Sequence, residues 1–201
     1  MAIALSLLLG YLLGSIPFGL VLTRLSGGPD IRSIGSGNIG ATNVLRTGSK
    51  GIAALTLLLD AGKAAGAGWI ALSLFGAPLQ YVAAAAALLG HCYPVWLRFR
   101  GGKGVATFFG SLLGLTFWPV GVAAAATWLL VAFTTRYSSA AALCAAAFAT
   151  AVSAIFMPSQ PHGWHVTAMV GAMTLLIVWR HRENIARLRA GTESRIGAKS
   201  K

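Results

Sequence analysis

The sequence predicts an all-α integral membrane protein: a polytopic bundle of about seven transmembrane helices, N-terminus outside and C-terminus cytoplasmic. Three observations predict it. Charge is too scarce for a water-facing surface, apolar stretches of near-span length recur along the chain, and basic residues fall only in alternate connections. Hydrophobic residues make up 56% of the 201-residue chain and charged residues 10%, where a soluble domain carries about a quarter charged. Lipid must cover much of such a surface. Residues 1–201 are expected to form one domain.

Taken in order, the candidate spans are 2–23, 52–74, 80–93, 105–117, 119–134, 138–157 and 164–179. The first starts without a basic leader region or a cleavage site and reads as a retained span. The second carries Asp60 and Lys63, three apart and so on one helix face; at that depth they must pair with each other or face a wet interior. The third and fourth are short, and the count falls to five or six if they only dip into the bilayer. The later spans are rich in small residues, as in 123–126 and 140–147, which suits close helix packing in lipid.

Orientation follows from the charges. Sixteen Lys and Arg stand against four Asp and Glu. Arg24, Arg32, Arg46 and Lys50 lie between the first two spans, and Arg98, Arg100 and Lys103 between the third and fourth. Arg136 separates the fifth and sixth, and Arg180, Arg182, Arg187, Arg189, Arg195, Lys199 and Lys201 follow the seventh. The connections at 75–79, 118–119 and 158–163 carry no Lys or Arg. Basic loops are retained in the cytoplasm, so all of them share one face. Charge divided among short loops, with no single stripe, argues against nucleic acid as the partner.

Three of these basic stretches, about 24–51, 94–104 and 180–195, are richer in chemistry than linkers need to be. The first contains Gly35, Ser36, Gly37, Asn38, Gly40, Thr42, Asn43 and Arg46. Its glycines free backbone N–H groups to face an anion, and Arg46 adds a planar fork suited to phosphate. The 41–47 segment reads as a short helix closed by Gly48. The second surrounds Lys103 with Gly101, Gly102 and Gly104 just before a helix start, an anion-binding arrangement that lacks the glycine spacing of a Walker loop. The third places His181 and Asn184 on one helical face, with Glu183 and Arg187 able to pair at i,i+4.

The chain also lacks certain signatures. No His is followed five residues later by Asp, no His/Cys/carboxylate cluster has metal-ligand spacing, and no Gly-x-Ser-x-Gly elbow occurs. Cys92 and Cys144 suggest neither a metal nor a disulfide framework. The expected site is electropositive, free of metal and cofactor, and short of general bases. Such a site suits an anionic acyl donor that is already activated.

Gly35-Ser-Gly-Asn-Ile-Gly-Ala-Thr-Asn with Arg46, Phe99-Arg-Gly-Gly-Lys-Gly, and Arg180-His-Arg-Glu-Asn-Ile together resemble the bacterial acyl-phosphate:glycerol-3-phosphate acyltransferases, the PlsY family. The resemblance runs from Gly14-Ser-Ile-Pro-Phe-Gly to Gly191-Thr-Glu; one departure is Ala64 after Asp60-Ala-Gly-Lys63. It implies transfer of a fatty acyl group from acyl phosphate to the 1-hydroxyl of glycerol 3-phosphate, yielding lysophosphatidic acid and inorganic phosphate. It further implies Ser36, Arg46, His181 and Asn184 as catalytic residues, and Gly101, Gly102, Lys103 and Gly104 as a phosphate loop. Asn38 and Thr42 become further substrate contacts, while Glu183 orders the third stretch. A bacterial inner-membrane location with a cytoplasmic site follows, as does functional association with an acyl-phosphate-producing enzyme and a second acyltransferase. His181 could serve as base or only as a donor to substrate, with the leaving phosphate taking the proton. The competing class, an organic-phosphate transporter, would place its polar groups near the midplane between repeats, whereas here they gather at one surface.

Overall fold

The computed structural model describes residues 1–115 and 118–197, and every regular element among them is helical. The chain divides into two compact units, Met1–Leu115 and Thr116–Lys201. Phe117, the expected end of the fourth span, and Lys199 and Lys201 of the basic tail lie outside the described residues.

In the first unit, α1 (Ala2–Gly14) and α2 (Phe18–Leu25) replace the single helix expected over 2–23. Pro17 is the cause. It has no N–H to donate, and the chain turns there before helicity resumes. Backbone freed inside an apolar environment must find partners. The carbonyl of Ser15 accepts from Trp96 Nε1 at 2.7 Å, and that of Ile16 accepts from Lys63 Nζ at 3.0 Å. The break is therefore satisfied by side chains from two other elements.

The short α3 (Ala41–Val44) continues as a 3-10 turn, Leu45–Thr47, and ends at Gly48 with φ +88°. This is the closed short helix the sequence predicts. After it come α4 (Lys50–Phe75), α5 (Leu79–Cys92) and α6 (Val105–Leu115). The core between α1, α4 and α5 is built from Ala64, Ala67, Ala71, Ala83 and Ala87, with Leu9, Leu13 and Phe75 against it. Gly10 and Gly14 of α1 face the backbone of Ala83 and Ala87 so closely that a Cβ at either position would overlap it. A second apolar cluster, Ile31, Ile39, Val44 and Ala53, anchors the long connection between α2 and α4.

The second unit comprises α7 (Trp118–Thr135), α8 (Ser138–Phe156), α9 (Gly163–Arg180) and α10 (Arg182–Arg189). α8 meets α9 through hydroxyls: Thr150 donates to Thr174 at 2.9 Å, Thr174 to the Ala146 carbonyl at 3.2 Å, and Thr167 to the Ser153 carbonyl at 3.1 Å. Hydroxyl links of this kind hold helices together where apolar burial gives no drive.

Helices thus occupy each of the seven apolar stretches. Among the described residues, four runs are long and apolar enough to cross a membrane: Ala2–Leu25, Lys50–Phe75, Trp118–Thr135 and Ser138–Phe156. The side chains are distributed inside-out for water. Small residues fill the interior, while Leu58, Leu130, Phe133 and Leu175 point outward, Phe133 with 86% of its surface exposed. Lipid is the medium that makes this favourable.

Candidate functional site

The first basic connection is organised by Asn43, which is almost fully buried. Its Nδ2 donates to the carbonyls of Ile31 and Ile34 at 2.7 and 3.0 Å, fixing the amide's orientation. Its Oδ1 accepts from the Ser36 N–H at 3.2 Å, the Ser36 hydroxyl at 3.3 Å and Arg46 Nη1 at 3.2 Å. Two predicted site residues, Ser36 and Arg46, are thereby joined on one oxygen. Gly35, with φ +53°, lies where the Arg46 and Asn43 side chains leave no room for a Cβ. Asn38, half-buried beside Gly40, and Thr42, exposed on α3, flank this junction without joining it through a side-chain bond among those described.

The arginines of this connection differ in what they offer an anion. Arg32 is held by Asp30, with Nη2–Oδ2 at 2.6 Å and Nε–Oδ1 at 3.0 Å. Hydrogen bonds from the Arg32 side chain and backbone hold the Asp30 carboxyl at about 2, so this pair stays ionised and mutually neutralised. Arg46 Nη1 donates to the neutral amide oxygen of Asn43, which helps to fix the guanidinium beside Ser36.

The second connection folds back onto the end of α5. The N–H of Gly101 donates to the Cys92 carbonyl at 3.1 Å and that of Gly102 to the His91 carbonyl at 3.0 Å. Gly102 and Gly104 are buried, Gly101 and Lys103 half-buried, and α6 starts at Val105 directly after them. Backbone N–H groups at the start of an eleven-residue helix, with a lysine beside them, make an electropositive turn. Tyr11 donates to the Tyr93 carbonyl at 2.8 Å, tying the start of this connection to α1.

The third stretch forms the junction of α9 and α10. His181 is buried, and its Nδ1 lies 2.8 Å from the Ile177 carbonyl. A carbonyl can only accept, so Nδ1 carries the proton and the lone pair of the neutral ring sits on Nε2. Asn184 Nδ2 donates to Glu193 Oε1 at 2.6 Å; the same oxygen accepts from Ser139 at 2.8 Å, and Oε2 accepts from Arg187 Nε at 2.7 Å. Burial pushes the Glu193 carboxyl up, but the hydrogen bonds from Asn184, Ser139 and Arg187, with the Arg187 charge, leave it below its ordinary value.

This corrects one expectation. Glu183 does not pair with Arg187 or order the stretch; it is exposed, 3.9 Å from Arg182. Arg187 turns to Glu193, whose side chain is only 6% exposed. Desolvated partners compete better for a guanidinium than exposed ones, so the more distant acid prevails over the i,i+4 one. Sequence reasoning also passed over Asn43 as an organiser, although it stands within the first motif. His91 Nδ1 lies 2.8 Å from Lys63 Nζ, a meeting across 28 residues that no local spacing indicates.

A family profile described as "Glycerol-3-phosphate acyltransferase" matches residues 4–191. A glycerol-3-phosphate acyltransferase of Rhodopseudomonas palustris (strain BisB5) is 56% identical over 194 residues, covering 96% of this chain and 96% of the relative. One from Maricaulis maris (strain MCS10) is 58% identical over 190 residues, covering 94% of this chain and 85% of the relative. The fold is similar to a crystal structure of PlsY (YgiH), an integral membrane glycerol 3-phosphate acyltransferase, in its glycerol 3-phosphate form. The TM-score is 0.87 at 38% identity, over 98% of this chain and 96% of that one. The lysophosphatidic acid form of PlsY matches with a TM-score of 0.86 at 37% identity, again over 98% and 96%.

Proposed function

The chain belongs to the glycerol-3-phosphate acyltransferase family, and from that premise we propose the donor, the working residues and the membrane face of its reaction. It is an integral membrane acyltransferase that acylates glycerol 3-phosphate to lysophosphatidic acid in bacterial phospholipid synthesis.

The acyl donor is a fatty acyl phosphate. The 1-hydroxyl oxygen of glycerol 3-phosphate attacks the acyl carbonyl carbon, the bond from that carbon to the phosphate oxygen breaks, and inorganic phosphate departs. The hydroxyl proton passes through His181 Nε2 to the departing phosphate, so no proton is gained or lost. Arg46, Lys103 and the helix start that follows Gly104 hold the phosphates against their mutual repulsion, while Gly101 and Gly102, bonded back to the end of α5, shape the turn. Ser36, its hydroxyl proton on Asn43, offers lone pairs that orient the substrate hydroxyl, and the second Nδ2–H of Asn184 donates to the developing oxyanion. Asn38 and Thr42 add contacts to substrate. No cofactor takes part; a substrate that brings its own leaving group needs mainly positioning.

The observation that carries this reading is the convergence of Ser36 and Arg46 on Asn43 Oδ1, which builds a hydroxyl and a positioned cation into one turn.

The chain crosses the membrane seven times as one catalytic domain, 1–201, with its N-terminus outside and its C-terminus cytoplasmic. The stretches 24–51, 94–104 and 180–195 then face the cytoplasm at the bacterial inner membrane. The absence of Lys and Arg from the opposite connections supports this orientation. An acyl-phosphate-producing enzyme would supply the donor, and a second acyltransferase would consume the product.

The test is phosphate release from palmitoyl phosphate by the purified, detergent-solubilised protein. Release that requires glycerol 3-phosphate and matches lysophosphatidic acid formed is the expected result. Acylation that proceeds only from an acyl thioester would overturn the donor assignment.

A further inference from the structure

Asp60 and Lys63 lie on α4, and the reaction just described uses neither. Lys63 Nζ donates to three acceptors: Asp60 Oδ1 at 2.7 Å, the Ile16 carbonyl at 3.0 Å and His91 Nδ1 at 2.8 Å. An ammonium has three N–H bonds, and each has an acceptor here. Because Nδ1 of His91 accepts, the ring's own proton sits on Nε2. The three side chains are between 2% and 4% exposed. Ionic groups this deep cost more to desolvate than apolar residues of the same volume, so they are a costly way merely to fill space.

The far edge of the His91 ring lies against the second connection. A Cβ added to Gly102 would overlap His91 Nε2, Cε1 and Cδ2. The Gly102 N–H is bonded to the His91 carbonyl and the Gly101 N–H to that of Cys92. His91 therefore meets the turn twice, through its backbone and through its ring. Lys63 holds the ring and also takes the Ile16 carbonyl, exposed by the Pro17 break.

We propose that Asp60, Lys63 and His91 form a positioning relay beneath the Gly101–Gly104 turn. The ion pair fixes the imidazole, the imidazole supports Gly102, and the turn is thereby held in the conformation that receives substrate phosphate. None of the three touches substrate; they are positioning residues. The inference rests on the reading of Gly101–Gly104 as the phosphate loop. It also explains why residue 102 has no side chain: the ring occupies that space.

The test uses the full-length enzyme in detergent, with glycerol 3-phosphate and palmitoyl phosphate varied in turn. In His91→Asn, Oδ1 replaces Nδ1 as the acceptor for Lys63, so the ion pair keeps its partner while the ring edge is removed. This variant is expected to keep its thermal midpoint and to raise KM for one phosphate substrate about tenfold, with kcat little changed. Gly102→Ala alone is expected to raise the same KM. In the double variant His91→Asn/Gly102→Ala, the new methyl fills the vacated space, so KM should be no worse than in the worse single variant. Asp60→Asn/Lys63→Met, which removes both charges together, should reproduce the His91→Asn defect. Independent, multiplicative effects in the double variant would overturn the relay, as would normal KM values in His91→Asn. Lys103→Ala separates the two levels of the argument. An unchanged KM there sinks the phosphate-loop reading itself, whereas a raised KM with a normal His91→Asn sinks only the relay.

Discussion

Asn184, in the third motif, is held by Glu193, nine residues further along, through an Nδ2–Oε1 bond of 2.6 Å. The acid also accepts from Ser139 and Arg187, so one carboxylate ties α10 both to α8 and to its own trailing segment. Glu193→Gln replaces a charged acceptor with an amide that cannot satisfy all three donors. Each charge-assisted bond lost costs about 1.5–3 kcal/mol. We expect faster amide hydrogen exchange over 182–195 and a fall in kcat of at least about tenfold, because Asn184 loses its orientation.

The same carboxylate sets an acid limit. Its folded pKa lies below the ordinary value, so its stabilising contribution is complete above about 4.5 and disappears as pH falls through the lowered folded value. Exchange protection of 182–195 should therefore decline on acidification below that point in the wild type. In Glu193→Gln it should be low throughout and insensitive to pH over the same interval.

Asn43 should be less replaceable than its neutral character suggests. Asn43→Ala removes the oxygen that joins Ser36 to Arg46 and leaves the buried Ile31 carbonyl without its side-chain donor. The expected loss of stability is about 1–3 kcal/mol, read from thermal unfolding in detergent, together with a kcat/KM loss larger than stability explains. Asn43→Asp keeps the acceptor but turns carboxylate oxygens toward two carbonyls, and should unfold at a still lower temperature.

His181 presents Nε2 as an acceptor because Ile177 claims Nδ1–H. If that lone pair carries the hydroxyl proton, His181→Gln lowers kcat by about 10²–10⁴ with little change in KM. Near-normal turnover of His181→Gln at saturating substrate, alongside an inactive Arg46→Ala, would remove the base role.

Gly14 admits the backbone of α5 at Ala87. Gly14→Val inserts a branched side chain at that crossing and should destabilise the protein by about 1–3 kcal/mol through overpacking. Leu130→Val on the outward face of α7 is the control and should shift the thermal midpoint far less.

Single cysteines introduced at Ser36, Lys103 and Asn184 should all react with an impermeant maleimide in inverted vesicles and resist it in intact spheroplasts. A split among the three would remove the common cytoplasmic face from the proposed function.

Much of this protein could be read locally. Composition and span length were enough for a helical membrane protein, because the cost of unsatisfied backbone in lipid leaves few other structures. Motif residues in sequence neighbourhoods, such as Gly35 to Arg46, lie close in space because a short turn and α3 bring them there. The pairing of Asp60 with Lys63 follows from helix geometry alone. What the sequence could not reveal were the partners chosen across elements. Pro17 announces a break, but not that Lys63 and Trp96 would satisfy it. Glu183 had the right spacing for Arg187, yet Glu193 took it. His91 meets Lys63 across 28 residues. Local geometry determines which groups can be neighbours along one helix. Competition among acceptors for a limited number of donors, decided by burial, is settled only when the helices pack.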